Sequence, residues 1–201
     1  MDTRPFDPAD RGVRPVHKLA ASRLRFGWGD ARYRLDIVGH SIADVVENAG
    51  GWLFDRALAG WDVAVLVAEP SDDRPLRILG AQMLDLGEVL DSGGSGRQPH
   101  ALAVAAAMAE RDSRMSAGLH AALDDGGLQV VGWGEGWPVG PGYRVDPVWH
   151  RLSAAARVFK AQALAAAGNP TPGGDGVGGF EFLCTGAAWW PPVVADLSPV
   201  N

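Results

Sequence analysis

The stretch "SIADVVENAGGWLFDRALAGWDVAVLVAE", residues 41–69, decides how the chain is read. Ile42, Val45, Val46, Ala49, Leu53 and Ala57 recur at spacings of three and four, the apolar stripe of one amphipathic helix. Ser41 suits the N-cap, and Asp44 takes the capping-box position as a shorter stand-in for Glu. Gly60 is placed to stop the helix as its left-handed terminal residue. "DVAVLVA" (62–68) follows at once, an almost unbroken apolar run expected of a strand covered on both faces. Upstream, "RYRLDIV" (32–38) alternates as a strand, with Tyr33, Leu35 and Ile37 on one face, and ends at Gly39. Gly50 and Gly51 are the anomaly. Each costs about 1 kcal/mol against Ala inside a helix, so something must offset them. Close approach of another backbone or a large ring is the expected offset; the alternative is a helix restarted at Gly51, with amides turned toward an anion.

Further along, "EPSDDRP" reads as a loop and "LRILGAQML" (76–84) as a strand. The short loop favours a hairpin, because a parallel return needs a longer crossover. "DSGGSG" (91–96) is a flexible link. Residues 99–124 are expected to form one helix, striped by Val104, Met108, Met115, Leu119 and Leu123 and ended by "DGG". "LQVVGW" (128–133) is a short strand. Asp146 and Pro147 have the look of a cap and first turn for a second long helix, striped by Val148, Leu152, Ala155, Phe159 and Ala163 and ended by Gly168. "FEFLCTG" reads as an added edge strand. The order β-α-β-β-α-β-α predicts an α/β fold: a layered mixed sheet with helices on both faces. Three segments follow: a basic N-terminal arm (1–24), a single α/β domain (25–168) and a Gly-, Pro- and Trp-rich C-terminal tail (169–201).

Composition narrows the function. Among 201 residues, hydrophobic content is 47% and charged content 21%, the balance of a packed globular chain. Residues 1–34 hold eight Arg or Lys against four Asp, a net of +4 that leaves −10 for the remainder of a chain totalling −6. Nucleic acid is therefore an unlikely partner except through the arm. The single cysteine, Cys184, builds no disulfide framework, and the N-terminus has no apolar signal region, so the expected compartment is the cytoplasm, with no membrane contact. Lysine stands only at 18 and 160 while Arg, Ala, Gly and Val abound, which suggests a GC-rich bacterial genome. The five histidines are isolated, with no H-x-x-x-H, H-E-x-x-H or C-x-x-C, so no metal is expected.

Two resemblances centre on the turn after the first strand. The strand, turn, helix, second strand and acidic Glu69 resemble the first βαβ unit of Rossmann-type flavin and nicotinamide enzymes. "VGHSIADV" supplies one glycine where G-x-G-x-x-G needs three, and Glu69 lies 30 residues past Gly39 where about 20 are expected. The topology is thus Rossmann-like without the glycine fingerprint, and no cofactor is expected. "GHSIA" (39–43) resembles the G-x-S-x-G nucleophile elbow of α/β-hydrolases, which implies Ser41 as nucleophile. Ala43 replaces the second glycine, and the strands that precede the elbow in that family have no room here.

The other site-like stretch is "GWGEGWPVGPGYR" (132–144), at the carboxyl end of a strand, where open α/β sheets bind ligands. It offers Trp133, Trp137 and Tyr143 as flat surfaces, Glu135 as acceptor and Arg144 as cation. Of the eight tryptophans, Trp28, Trp133, Trp137, Trp189 and Trp190 fall in or beside loops and termini, as interface anchors do. The sequence favours a non-catalytic module that binds a small molecule or protein through Trp133, Glu135, Trp137, Tyr143 and Arg144. A small hydrolase or transferase using Ser41 with His40 and Glu135 is one alternative. A homo-oligomer assembled through the tail is another. The proposed pocket requires the turns after residues 38 and 133 to share one rim.

Overall fold

The computed structural model describes residues 32–92, 97–125, 127–137, 143–169, 177–187 and 196–200. The basic arm (1–24), Trp28, Trp189, Trp190 and most of the Gly-rich links lie outside them. Five strands run parallel: β1 (Arg34–Gly39), β2 (Asp62–Val67), β3 (Gln82–Asp85), β4 (Ala101–Ala105) and β5 (Gln129–Trp133). Three more complete the sheet: β6 (Arg144–Arg151), β7 (Phe180–Ala187) and β8 (Leu197–Pro199). The order is β3-β2-β1-β4-β5-β7-β6-β8, with β7 antiparallel to β5 and β6, and β8 antiparallel to β6. The expected mixed sheet with Rossmann-like topology is what forms, as an open sheet.

Helices α1 (Ile42–Leu58), α2 (Arg74–Ile78), α3 (Leu86–Asp91), α4 (Ala106–Arg111), α5 (Ser113–Asp125) and α6 (Ala154–Ala166) cover it. Side-chain alternation on β7 shows that both faces are occupied. Glu181 points to α1, where it accepts hydrogen bonds from the amides of Gly51 and Trp52. Gly186, of opposite parity, lies against α5, and a Cβ there would meet Leu123 Cδ2 at 2.3 Å. Among the described residues no helix is long and apolar enough to cross a membrane.

α1 forms as expected. Ser41 Oγ accepts from the Asp44 amide, and Ile42, Val45, Val46, Ala49, Trp52 and Leu53 are buried. At its end Gly60 adopts φ +89° while Gly60 and Trp61 donate to Ala57 and Arg56, a Schellman closure. The helix is continuous, so it does not restart at Gly51, and the offset lies at Gly51 rather than at Gly50. A Cβ on Gly51 would stand 2.4 Å from Leu152 Cδ2, so close approach is real. The Gly51 and Trp52 amides also face an anion, the Glu181 carboxylate, at 2.7 and 2.8 Å. Lys160 Nζ completes that buried group, donating to Glu181 Oε1 at 2.6 Å and to the Glu47 carbonyl at 2.7 Å.

Four local expectations are corrected. Residues 76–84 are not one strand in a hairpin: α2 occupies the first half, and β3 returns parallel to β2. A five-residue helix opened by Pro75 and a turn at Gly80, φ +81°, make this short crossover possible. Residues 99–124 are not one helix. Ala101–Ala105 is the central strand β4, buried at every position, because pairing with strands on both sides outweighs the helical preference of alanine. Asp146 and Pro147 do not open a helix but lie in β6. The Pro147 carbonyl accepts from Val200, so its missing N–H points toward β8, the short edge strand, where a proline is tolerated. The helix instead starts after Ser153, whose Oγ accepts from Ala156 N. "FEFLCTG" is not an edge strand either, since β7 lies between β5 and β6.

Candidate active site

The sheet reverses its winding between β1 and β4: the chain moves outward from β1 to β2 and β3 on one side, and through β4 to β5 on the other. The crevice outside the carboxyl ends at such a switch point is the usual ligand position of open α/β sheets. His40 follows β1 directly. Arg111 ends α4, which follows β4. Their side chains meet across the crevice, with Arg111 Nη1 2.6 Å from His40 Nδ1. Glu69, just beyond β2, sets Oε1 3.5 Å from His40 Nε2. An arginine N–H only donates, so Nδ1 is the acceptor of the shorter contact; the same Nη1 also lies 3.3 Å from Nε2.

The backbone that holds His40 is itself fixed. Asp44 Oδ2 accepts from the His40 amide at 3.4 Å, and Oδ1 accepts from Asn48 Nδ2 at 3.0 Å and from Trp133 Nε1 at 3.2 Å. Gly39 has to be glycine, since a Cβ would meet Val45 Cγ2 at 2.3 Å. The Trp133 bond spans β4 and shows that the turns after residues 38 and 133 share one rim. On the flank, Arg114 grips Asp112 through Nε and Nη2, and this pairing holds the Asp112 carboxyl below its ordinary range.

The residues singled out from sequence are distributed unevenly. His40, Ser41, Trp133, Glu135 and Trp137 lie on this rim. Trp133 is buried and serves Asp44. Trp137 packs over Gly132, where a Cβ would collide with its ring. Glu135 is exposed. Ser41 Oγ is 3.3 Å from the Asp44 amide and makes no hydrogen bond to the His40 ring. Tyr143 and Arg144 are elsewhere. Val145 and Val130 both align with Gly186, which puts Tyr143 and Arg144 by the start of β5, about 13 Å along the strand from Trp133. There the Tyr143 hydroxyl donates to Asp124 at the end of α5, which raises the phenol above its ordinary pKa. The five residues expected to form one ligand surface therefore do not converge.

Among the described residues no group of three or more His, Cys, Asp or Glu is placed to hold a metal ion. The rim carboxylate Asp44 is engaged by the His40 amide, Asn48 and Trp133, and no step below runs through a metal. Arg111 was the residue hidden from sequence reading. Once 101–105 is seen as a strand, Arg111 stands six residues past its carboxyl end, and that position was the available signal.

No family model and no curated relative matches the sequence. Solved structures do. The chain is similar to the A40926 pseudoaglycone deacetylase, at 16% identity and TM-score 0.55, over 81% of this chain and all of that one (100%). It is also similar to a deacetylase of the teicoplanin biosynthesis pathway, at 13% identity and TM-score 0.52, over 84% of this chain and 99% of the other. A deacetylase–teicoplanin complex matches at 14% identity and TM-score 0.50, over 84% and 99%. The fold is shared with these enzymes. Together with the separation of Tyr143 and Arg144 from the rim, this corrects the expectation of a non-catalytic binding module.

Proposed function

We propose that the chain is a hydrolase that removes an acyl group from an amide nitrogen at the rim between β1 and β4. The contact of His40 with Arg111 across the switch point carries this reading. The deacetylase chemistry of structures that share the fold supports amide cleavage over other hydrolytic reactions.

In this reaction Arg111 turns from His40 Nδ1 to the acyl oxygen of the substrate. That movement frees Nδ1 to act as general base. Water attacks the acyl carbon and gives its proton to Nδ1, and the guanidinium stabilises the oxyanion. Glu69, beside Nε2, stabilises the imidazolium. The C–N bond then breaks, and the proton on Nδ1 passes to the departing nitrogen. The products are a carboxylic acid and an amine. Ser41 keeps its helix-capping role.

The test is a panel of N-acetylated amino sugars, amino acids and aryl amines, followed by release of primary amine. Turnover is expected on at least one class, with His40→Asn lowering kcat by about 100-fold or more and Arg111→Ala by a similar factor. Ser41→Ala should stay within a few-fold of the parent. A panel without amine release, or a His40→Asn variant as active as the parent, overturns the proposal. Loss of activity in Ser41→Ala with a trappable acyl-enzyme would replace the water mechanism by a serine nucleophile assisted by His40, with Glu135 as its remaining candidate partner.

A further inference from the structure

Away from the rim, a cavity of about 570 Å³ opens where β6 ends and α6 begins. Asp55, Arg151, Leu152, Ser153, Arg157 and Phe180 line it. Its volume is that of a small-molecule site. The charge within it is unbalanced. Among the described residues Arg151 and Arg157, both exposed, make no ion pair or hydrogen bond. Elsewhere Arg34, Arg56, Arg77 and Arg114 all carry carboxylate partners.

Asp55, the carboxylate among the lining residues, is already committed. Its Oδ2 accepts from His150 Nε2 at 2.9 Å and from the Ser153 amide at 3.1 Å. Two arginines therefore line the cavity with no carboxylate partner among the described residues. Its other surfaces are apolar: Leu152, and the ring of Phe180, which is 48% exposed and held edge-on by Trp149 at 4.9 Å.

We infer that this cavity binds an organic carboxylate with an aromatic or apolar body. The carboxylate pairs with Arg151 and Arg157, in the forked geometry that arginine favours, and the body lies on Phe180 and Leu152. The site is separate from the rim and does not depend on the reaction proposed there.

Calorimetric titration of the full chain with phenylacetate tests the inference. Saturable binding is expected, weakened more than tenfold in the Arg151→Gln/Arg157→Gln variant and several-fold in each single variant, with an unchanged melting temperature. Phenylacetamide, the neutral isostere, should bind at least tenfold more weakly, and inorganic phosphate should also bind more weakly than phenylacetate. His40→Asn should bind phenylacetate as the parent does. Equal binding by the double variant, by phenylacetamide or by phosphate overturns the inference. So does loss of binding in His40→Asn, which would put the ligand at the rim.

Discussion

Trp133 Nε1 donates to Asp44 Oδ1 at 3.2 Å, joining the end of β5 to the first turn of α1 across the intervening β4. Asp44 also holds the His40 amide, so one carboxylate couples three rim segments. Trp133→Phe keeps the buried ring and deletes the donor. The expected cost is about 1 kcal/mol in urea denaturation. Asp44→Ala removes all of these bonds at once and should cost about 2 kcal/mol or more. If the two variants unfold at the same urea concentration, Asp44 is not the joint between these segments.

The glycine pair in α1 gives opposite outcomes at adjacent positions. At Gly50 an added Cβ meets Leu79 Cδ1 and Val46 Cγ1 at 3.4 Å, ordinary contact distance. Gly50→Ala should therefore be neutral or stabilising, by up to about 1 kcal/mol. At Gly51 the same Cβ falls 2.4 Å from Leu152 Cδ2 and 2.5 Å from Cγ, on a buried side chain with little room to move. Gly51→Ala should destabilise by about 1–3 kcal/mol in spite of the gain in helix propensity. Paired melting curves decide it, and equal shifts would refute the packing account.

Lys160 and Glu181 form a buried ion pair, 6% and 4% exposed. Lys160→Met leaves Glu181 charged, buried and held only by two amides, and should cost about 3 kcal/mol or more. Replacing both groups, Lys160→Met with Glu181→Gln, should recover part of that loss because no unpaired charge remains. A double variant no more stable than Lys160→Met alone would contradict this.

Cys184 is half-buried and its Sγ donates to the Gly132 carbonyl. Burial pushes the thiol pKa up to about 11, from 9.0. The protonated form is favoured in the folded state, so any stability linked to this group is full below the unfolded pKa and is lost as pH rises through the folded one. Only the thiolate reacts. Folded protein at pH 8 should therefore react with a disulfide reagent about 100-fold more slowly than unfolded protein, converging as pH approaches 11. Equal rates in both states would show that the thiol is not shielded.

Residues 32–68 contain their own structure almost completely. Strand alternation, the N-cap at Ser41, the stripe through Leu53 and the stop at Gly60 are local patterns, and local hydrogen bonding and burial enforce them. The meeting of the turns at His40 and Trp133 on one rim is what parallel strands joined by covering helices lead one to expect; the strand order, with β4 between β1 and β5, comes from the tertiary structure. Three features needed the tertiary structure. "ALAVA" favours a helix by propensity and became a strand because two neighbours paired with it. "DPVWHR" offered a helix cap and became a strand because the short edge strand β8 tolerates a proline beside it. The charged groups were decided the same way. Arg111 and His40 are 71 positions apart, Gly51 and Glu181 are 130 apart, and no pattern along the chain pairs them. Periodicity records which face of an element is buried. Which distant residue completes a buried charge, or meets a histidine across a crevice, is fixed only when the sheet sets its strands side by side.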